Sequence, residues 1–293
     1  MLSIVVSSYR EDFFQSLCNN IVATIGERVT HEIIQIKNPG LMGVCEAYNK
    51  GLGQSQYPYV LFLHEDLLFN SPGWGGRLLD IFEQDLQIGL VGVAGGLYKS
   101  KAPSSWWDID DSDKYIYVRH GSREENELMQ YGFGAQTRTH IAEVLSLDGL
   151  FIALRKSTGL RFNERLKGYH QYDLGISIDA HLKGYKAVCT DLIDITHYSK
   201  GNIDKSWAES ADVFFDLYAR HLPLYVSSDK SRQEKKQWER KNYIQFINGA
   251  WAMGLDRLAW KYWWRLFRLK PLSSKPFKLI KKLRKERHNS CVT

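Results

Sequence analysis

The amino-acid sequence predicts an α/β fold on a mainly parallel sheet, and three observations predict it. Short runs of β-branched and aromatic residues alternate with segments whose apolar residues recur every three or four positions. The strand-like runs are apolar almost throughout, as strands covered on both faces require. Alternation of this kind builds a sheet through right-handed helical crossovers, and a helical region follows the last strand.

Ile4-Val5-Val6 reads as the first strand, ending at Ser7-Ser8-Tyr9. Phe13, Phe14, Leu17, Cys18, Ile21, Val22 and Ile25 follow at helical spacing, with Gly26 as a stop. His31 to Ile36 reads as a second strand and Asn38-Pro39-Gly40 as a turn. Val44, Ala47 and Tyr48 fit a short helix ending near Gly51. Tyr59 to Leu63 is a buried central strand, followed by a Ser-Pro-Gly turn and a helix carrying Leu78, Leu79 and Phe82. Leu90 to Ala94 is the next buried strand. Residues 99–139 lack sustained periodicity and read as a long functional excursion or a partly disordered stretch. Within them Trp106-Trp107 either stacks on a sugar ring or anchors the loop to the body. Val144 to Ala153 predicts a bent strand pair, Asp173 to Lys183 a helix, and the stretch up to His197 two short strands. Beyond Ser206 the spacing of Trp207, Ala211, Phe214, Phe215 and Tyr218 is helical.

The polar residues that interrupt this pattern fall at strand ends. Open α/β sheets bind ligands just beyond the carboxyl ends of their strands, and there the central strand runs into His64-Glu65-Asp66. Carboxylates at that point suit a divalent cation held against a diphosphate, because Mg²⁺ and Mn²⁺ take a few protein oxygens plus the substrate's phosphates. The same pattern also fits a strand ending in a solvated acidic turn. Two further islands stand out: Tyr172-Asp173 followed by Gly184-Tyr185-Lys186, and Ile195-Thr196-His197. Taken singly, Asp173 also fits a helix N-terminal carboxylate, and His197 a core histidine beyond a strand.

With Ile4 to Tyr9 and the segment Gly43 to Gly51, the order and spacing of these islands resemble family 2 glycosyltransferases of the GT-A type. The likeness is to a bacterial "glycosyltransferase-like" branch whose metal motif begins with His, and it covers roughly residues 1–205. It implies a Rossmann-like GT-A catalytic domain over residues 1–204 and an inverting transfer from a nucleotide-sugar, a UDP-sugar, with Mn²⁺ or Mg²⁺ as cofactor. By the resemblance, Ser7 and Tyr9 contact the base and ribose, and Asp66 and His197 hold the metal. Asp173 is the general base, and Asp148-Gly149 lines the pocket for donor sugar and acceptor. Glu65 belongs to the donor-binding set as a hydrogen-bonding neighbour rather than a direct ligand. His170, close to Asp173, reads as structural or acceptor-facing.

The chemistry has its own reasons for these residue types. A cation stabilises charge on a departing diphosphate, one carboxylate deprotonates the acceptor hydroxyl, and inversion needs no second carboxylate as nucleophile. Two positions depart from the family pattern. His64 replaces the usual first aspartate of the metal motif, and Tyr172 replaces the glutamate beside the base, removing an acidic neighbour that would raise the pKa of Asp173.

Composition bounds the rest. The chain has 293 residues, 44% of them hydrophobic, enough to bury a substantial core. Its four cysteines are scattered without metal-finger spacing, which suits a reducing compartment. No run approaches a membrane span, and the first residues lack the character of a signal peptide, so a cytoplasmic location is expected. From Leu255 onward, twelve Lys or Arg face two acids, a net +10, so the preceding 254 residues carry −4 of the chain's +6. Beyond residue 204 we divide the chain into a helical accessory region over 205–254 and a basic amphipathic tail over 255–293. In the tail Leu255, Leu258, Ala259, Tyr262, Trp263, Leu266 and Phe267 share one helical face opposite Arg257, Lys261, Arg265 and Arg268. Phe277, Ile280 and Leu283 repeat the design among Lys278, Lys281, Lys282, Arg284 and Lys285. The pattern fits a helix lying on an anionic membrane surface, where a lipid-linked glycan acceptor would be met, or a stripe packed on the body. No nucleic-acid module accompanies the charge. The rival function is a non-catalytic glycan- or nucleotide-binding protein that keeps the fold. A nucleotidyltransferase would need a Gly- and Lys-rich phosphate loop, which Ser7 to Asp12 does not supply.

Overall fold

The computed structural model describes residues 1–122, 125–134, 139–199, 201, 203–227, 230–269, 276–279 and 281. The chain begins β1 (Leu2–Ser8), α1 (Glu11–Thr24), β2 (His31–Lys37), α2 (Val44–Gln54), β3 (Tyr59–Leu63) and β4 (Leu67–Phe69). It continues with α3 (Trp74–Gln84), β5 (Ile88–Gly92), β6 (Ala94–Gly96), β7 (Tyr98–Lys99), β8 (Lys114–Gly121), β9 (Asn126–Tyr131), β10 (Ile141–Val144) and β11 (Ser146–Leu147). Then come β12 (Phe151–Arg155), α4 (Tyr172–Leu182), β13 (Lys186–Thr190), β14 (Ile195–His197), α5 (Lys205–Tyr218), β15 (Leu224–Tyr225), α6 (Arg232–Ala252) and α7 (Asp256–Leu269).

The fold is α/β, around a seven-stranded sheet in the order β10-β13-β5-β12-β3-β1-β2. Strand β1 runs parallel to β2 and β3, and β13 parallel to β5, whereas β12 and β10 run the opposite way. The sheet is therefore mixed, with five strands in one direction. The reversal of β12 matters, because it brings the start of β12 to the edge where β1 and β3 end. Phe151 pairs with Leu63, and the His64 N–H donates to the Leu150 carbonyl at 3.1 Å.

Strand β3 is buried at every residue, as its unbroken apolar run predicts. Helix α2 lies close over β1 because residue 51 is glycine; a Cβ there would sit 2.2 Å from a Val5 methyl. Helix α1 stops before Gly26, whose φ of +105° is left-handed territory that favours glycine.

A second sheet has the order β11-β6-β8-β14-β4, with β9 paired to β8. It corrects the reading of residues 99–139 as an excursion without regular structure. In β8 the buried Ile116 and Val118 alternate with less buried tyrosines and Arg119, a period of two that the charged flanks obscure. Strand β4, also unexpected, follows the metal motif directly.

The C-terminal helices build a second core. Ala208, Ala211 and Phe215 of α5 meet Phe246 and Ile247 of α6 and Ala259, Tyr262, Trp263 and Leu266 of α7. Helix α5 also gives Phe214 and Tyr218 to the main core. The apolar face of residues 255–269 is thus turned inward, the second of the two alternatives its spacing left open, a stripe packed on the body rather than on a bilayer. Lys261, at the border of the charged face, pairs with Asp212 at 2.7 Å and Asp216 at 3.1 Å on α5. Lys282, Leu283, Arg284, Lys285 and Ile280 lie outside the described residues. No helix among the described residues is long and apolar enough to cross a membrane.

Adjacent tryptophans on α7 test this packing. Trp263 is 4% exposed and Trp264 is 53% exposed. Trp263→Ala is expected to cost about 3–5 kcal/mol in urea melts, and Trp264→Ala about 0.5 kcal/mol or less. Equal losses at the two positions would contradict the inward stripe.

Candidate active site

Asp66 and His197 are 131 positions apart in sequence and meet through strand pairing. Strands β4 and β14 pair antiparallel with Leu67 opposite His197, and the Tyr198 N–H donates to the Asp66 carbonyl at 3.1 Å. His197 Nε2 then lies 3.5 Å from an Asp66 oxygen, and Ser199 Oγ lies 3.0 Å from the same nitrogen. His64 joins them: one ligand atom from each of His64, Asp66 and His197 falls within 4.8 Å of the others. Sequence reasoning treated His64 as a lost carboxylate; the fold makes it a member of the cluster. His120, aligned with His197 through the β8–β14 pairing, brings its ring centroid to 5.5 Å from that of His197.

The protonation states suit cation binding. Burial would raise the Asp66 carboxyl, but the hydrogen bond and charge of His197, with His64 and Ser199, outweigh it and hold Asp66 well below the usual carboxylate range. Burial, and then the charge of His197, lowers the pKa of His64 against the opposing charges of Asp66 and Asp148. His197 Nδ1 is buried and without a hydrogen-bond partner among the described residues. Two imidazoles and a carboxylate are a fitting donor set for a divalent cation.

Asp173 stands in the first turn of α4 and behaves in the opposite way. Burial first, then the charge of Asp148, push its carboxyl up to about 7. The acidic neighbour that Tyr172 fails to provide is thus supplied from the turn before β12. Asp148 is itself held in place: it accepts from Trp106 Nε1 at 3.0 Å and from the Leu150 N–H at 2.9 Å. Trp106 is buried and anchors its loop, while the more exposed Trp107 faces the cleft.

Two hollows adjoin across this cluster. A cleft of about 480 Å³ is lined by Asp148, Gly149, Asp173, His197, Trp107 and His170, among others. A recess of about 290 Å³ is lined by Ser7, Tyr9, Glu65, Asp66 and Tyr48. His64, Tyr169 and Tyr172 line both. Tyr9 is 70% exposed at the mouth of the recess. The Glu65 carboxylate accepts from the Tyr9 and Arg10 N–H groups at 3.1 Å, tying the β1–α1 turn to the cation cluster. His170 Nε2 lies 3.2 Å from Ser206 Oγ. Gln171 escaped sequence reading altogether. It has φ +66°, is nearly buried beside the cleft, and leaves its Oε1 without a partner among the described residues. A buried non-glycine residue in that conformation is strained.

The fold and site define an α/β protein of GT-A-like architecture, with a His-Asp-His cluster that could hold a cation and a high-pKa carboxyl on adjoining hollows at strand ends. Residues 3–221 match the family described as "Glycosyltransferase like family", and the chain belongs to that family. Solved structures are similar at low identity. GalNAc-T7 with UDP, GalNAc and Mn²⁺ is 11% identical with a TM-score of 0.47, over 83% of this chain and 54% of that one. Residues 1–349 of S. aureus TarS in complex with UDP are 12% identical, TM-score 0.47, over 86% and 72%. TarS with UDP-GlcNAc is 11% identical, TM-score 0.46, over the same shares, 86% and 72%. The match thus spans about half the length of the GalNAc-T7 chain. No curated protein sequence matches this one.

The raised Asp173 carboxyl has a consequence for stability. Its folded pKa of about 7 exceeds the unfolded value near 4, so the native state binds the proton more tightly. Stability therefore falls as pH rises from about 4, and the loss is complete above about 7. Asp173→Asn is expected to stabilise the fold by about 2–4 kcal/mol at pH 8 and by little near pH 4. Urea melts at the two pH values check this, and an equal effect at both would refute the linkage.

Proposed function

We propose that the protein is a cation-dependent, inverting glycosyltransferase that moves a sugar from a nucleotide-sugar, a UDP-sugar, to a hydroxyl of a surface-glycan or lipid-linked acceptor. The observation that carries this reading is a single one. Asp66, His197 and His64 line up with Asp173 along two adjoining hollows, with the cluster between them.

In this reading the recess beside Ser7 and Tyr9 takes the base and ribose, and the larger cleft takes the sugar and acceptor. Asp66 and His197 hold the cation, which when bound neutralises charge on the departing diphosphate. Asp173 accepts the proton of the acceptor hydroxyl. Its pKa of about 7 is well matched to that task, since it balances ionisation against basicity near neutral pH. Asp148 is held by Trp106 and Leu150, one hydrogen bond to each oxygen, beside the base it tunes.

Asp173→Asn is expected to lower kcat by roughly 10²–10⁴-fold while leaving UDP affinity within about twofold. The wild-type rate should rise with pH through an apparent pKa near 7. Unchanged turnover in the variant would remove the base assignment. Absence of donor hydrolysis with Mn²⁺, even at high protein concentration, would favour a non-catalytic binding protein instead.

We further propose a cytoplasmic, peripheral location in which the end of the C-terminal region meets an anionic membrane. The inward stripe takes no part. Support comes from Trp264, Leu269 and Phe277, each about half exposed, beside the exposed Arg268, Lys278 and Lys281. Basic residues near an anionic surface add roughly 1 kcal/mol each. In flotation assays, Trp264→Ala with Phe277→Ala should weaken binding to vesicles containing phosphatidylglycerol, and added salt should weaken the wild type. Equal flotation of both proteins would discard the proposal.

A further inference from the structure

The two departures from the family pattern, His64 and Tyr172, touch each other. The Tyr172 hydroxyl and His64 Nε2 are hydrogen-bonded at 2.7 Å. This contact joins the first turn of α4, which carries Asp173, to the turn after β3, which carries Asp66. Tyr172 has little freedom to move. Its ring is 5% exposed and meets Tyr48 edge-on at 5.8 Å. Gly149 makes room for the phenol, since a Cβ there would lie 2.1 Å from the hydroxyl oxygen. The glycine beside Asp148 is thus required by Tyr172.

We propose that Tyr172 and His64 act as one unit, in which the Tyr172 hydroxyl fixes the His64 imidazole as a third ligand of the Asp66–His197 site, so that the site takes Mn²⁺ in preference to Mg²⁺. A histidine that ligates a metal through one ring nitrogen is held by a hydrogen bond at the other, which sets its plane and tautomer. Tyr172 supplies that bond at Nε2. Mg²⁺ prefers oxygen ligands and keeps its waters, whereas a first-row transition cation gains more from imidazole. Replacing a carboxylate with an imidazole therefore changes which cation the site selects, without removing the site. Tyr172 is a positioning residue, and the replacement of glutamate by tyrosine follows from what His64 needs.

The inference rests on the cation-dependent reading above, but its test needs no turnover. Electron spin-echo envelope modulation of wild-type protein with Mn²⁺ and UDP counts the nitrogens bound to the metal. Two imidazole nitrogens are expected; one would overturn the inference while leaving the Asp66–His197 site in place. No bound Mn²⁺ at all would overturn the cation reading itself. Mn²⁺ titrations with Mg²⁺ as competitor give the selectivity. The Mn²⁺-over-Mg²⁺ preference is expected to fall roughly tenfold or more in His64→Asp, and an unchanged ratio would overturn the proposal. Tyr172→Phe keeps the ring and removes only the hydroxyl. It should weaken Mn²⁺ binding roughly tenfold, and unaltered affinity would show that Tyr172 is merely packed there.

Discussion

His197 faces Asp66 because two three-residue strands, β4 and β14, pair in opposite directions. The first strand begins one residue after Asp66 and the second ends on His197, so the pairing carries both side chains to one point. The reversed strand β12 does the same for the turn before it, setting Asp148 and Gly149 beside the end of β3. Backbone hydrogen bonds in two sheets thus assemble the site before any side chain contributes. The side-chain contacts add orientation to a geometry the ladders have already imposed.

Asp66 and Asp173 show how that geometry divides one residue type into two chemical roles. Both are desolvated, which by itself raises a carboxyl. Asp66 has imidazoles for neighbours and stays ionised. Asp173, buried and with Asp148 for a neighbour, holds its proton up to about pH 7. The separation of the two pKa values comes from which loops the sheets bring close, and it suits one group to hold a cation and the other to take a proton.

The C-terminal helices buttress this arrangement. Glu239 on α6 accepts from the Tyr98 hydroxyl and from the Lys101 N–H, and Trp238 Nε1 donates to Asp110. Gln245 Nε2 donates to Asp108. Beneath them the buried Lys99 donates to the Ala102 carbonyl and Ser104 Oγ. The loop so held carries Trp106, whose indole fixes Asp148. A line of hydrogen bonds therefore runs from α6 to the carboxyl that tunes Asp173, so the accessory helices share in the site.

Much of this was legible in the residues alone. The alternating apolar runs locate β1, β2, β3, β5 and the helices between them, because a doubly covered strand and an amphipathic helix each leave a local period. Asp66, Asp173 and His197 were readable as candidates, since they stand at the ends of those elements. The hairpin β8–β9 was not, because its inward Ile116 and Val118 are two residues among polar neighbours. The inward turn of α7 was equally hidden, since an apolar stripe has the same spacing whether a bilayer or α5 covers it. Local sequence therefore determined which elements form and which side chains lie at their ends. Only the tertiary structure decided that His64 meets Tyr172, that Asp148 stands beside Asp173, and that Trp263 is core while Trp264 is surface. Those facts depend on strand direction and register between distant segments, which no local period encodes.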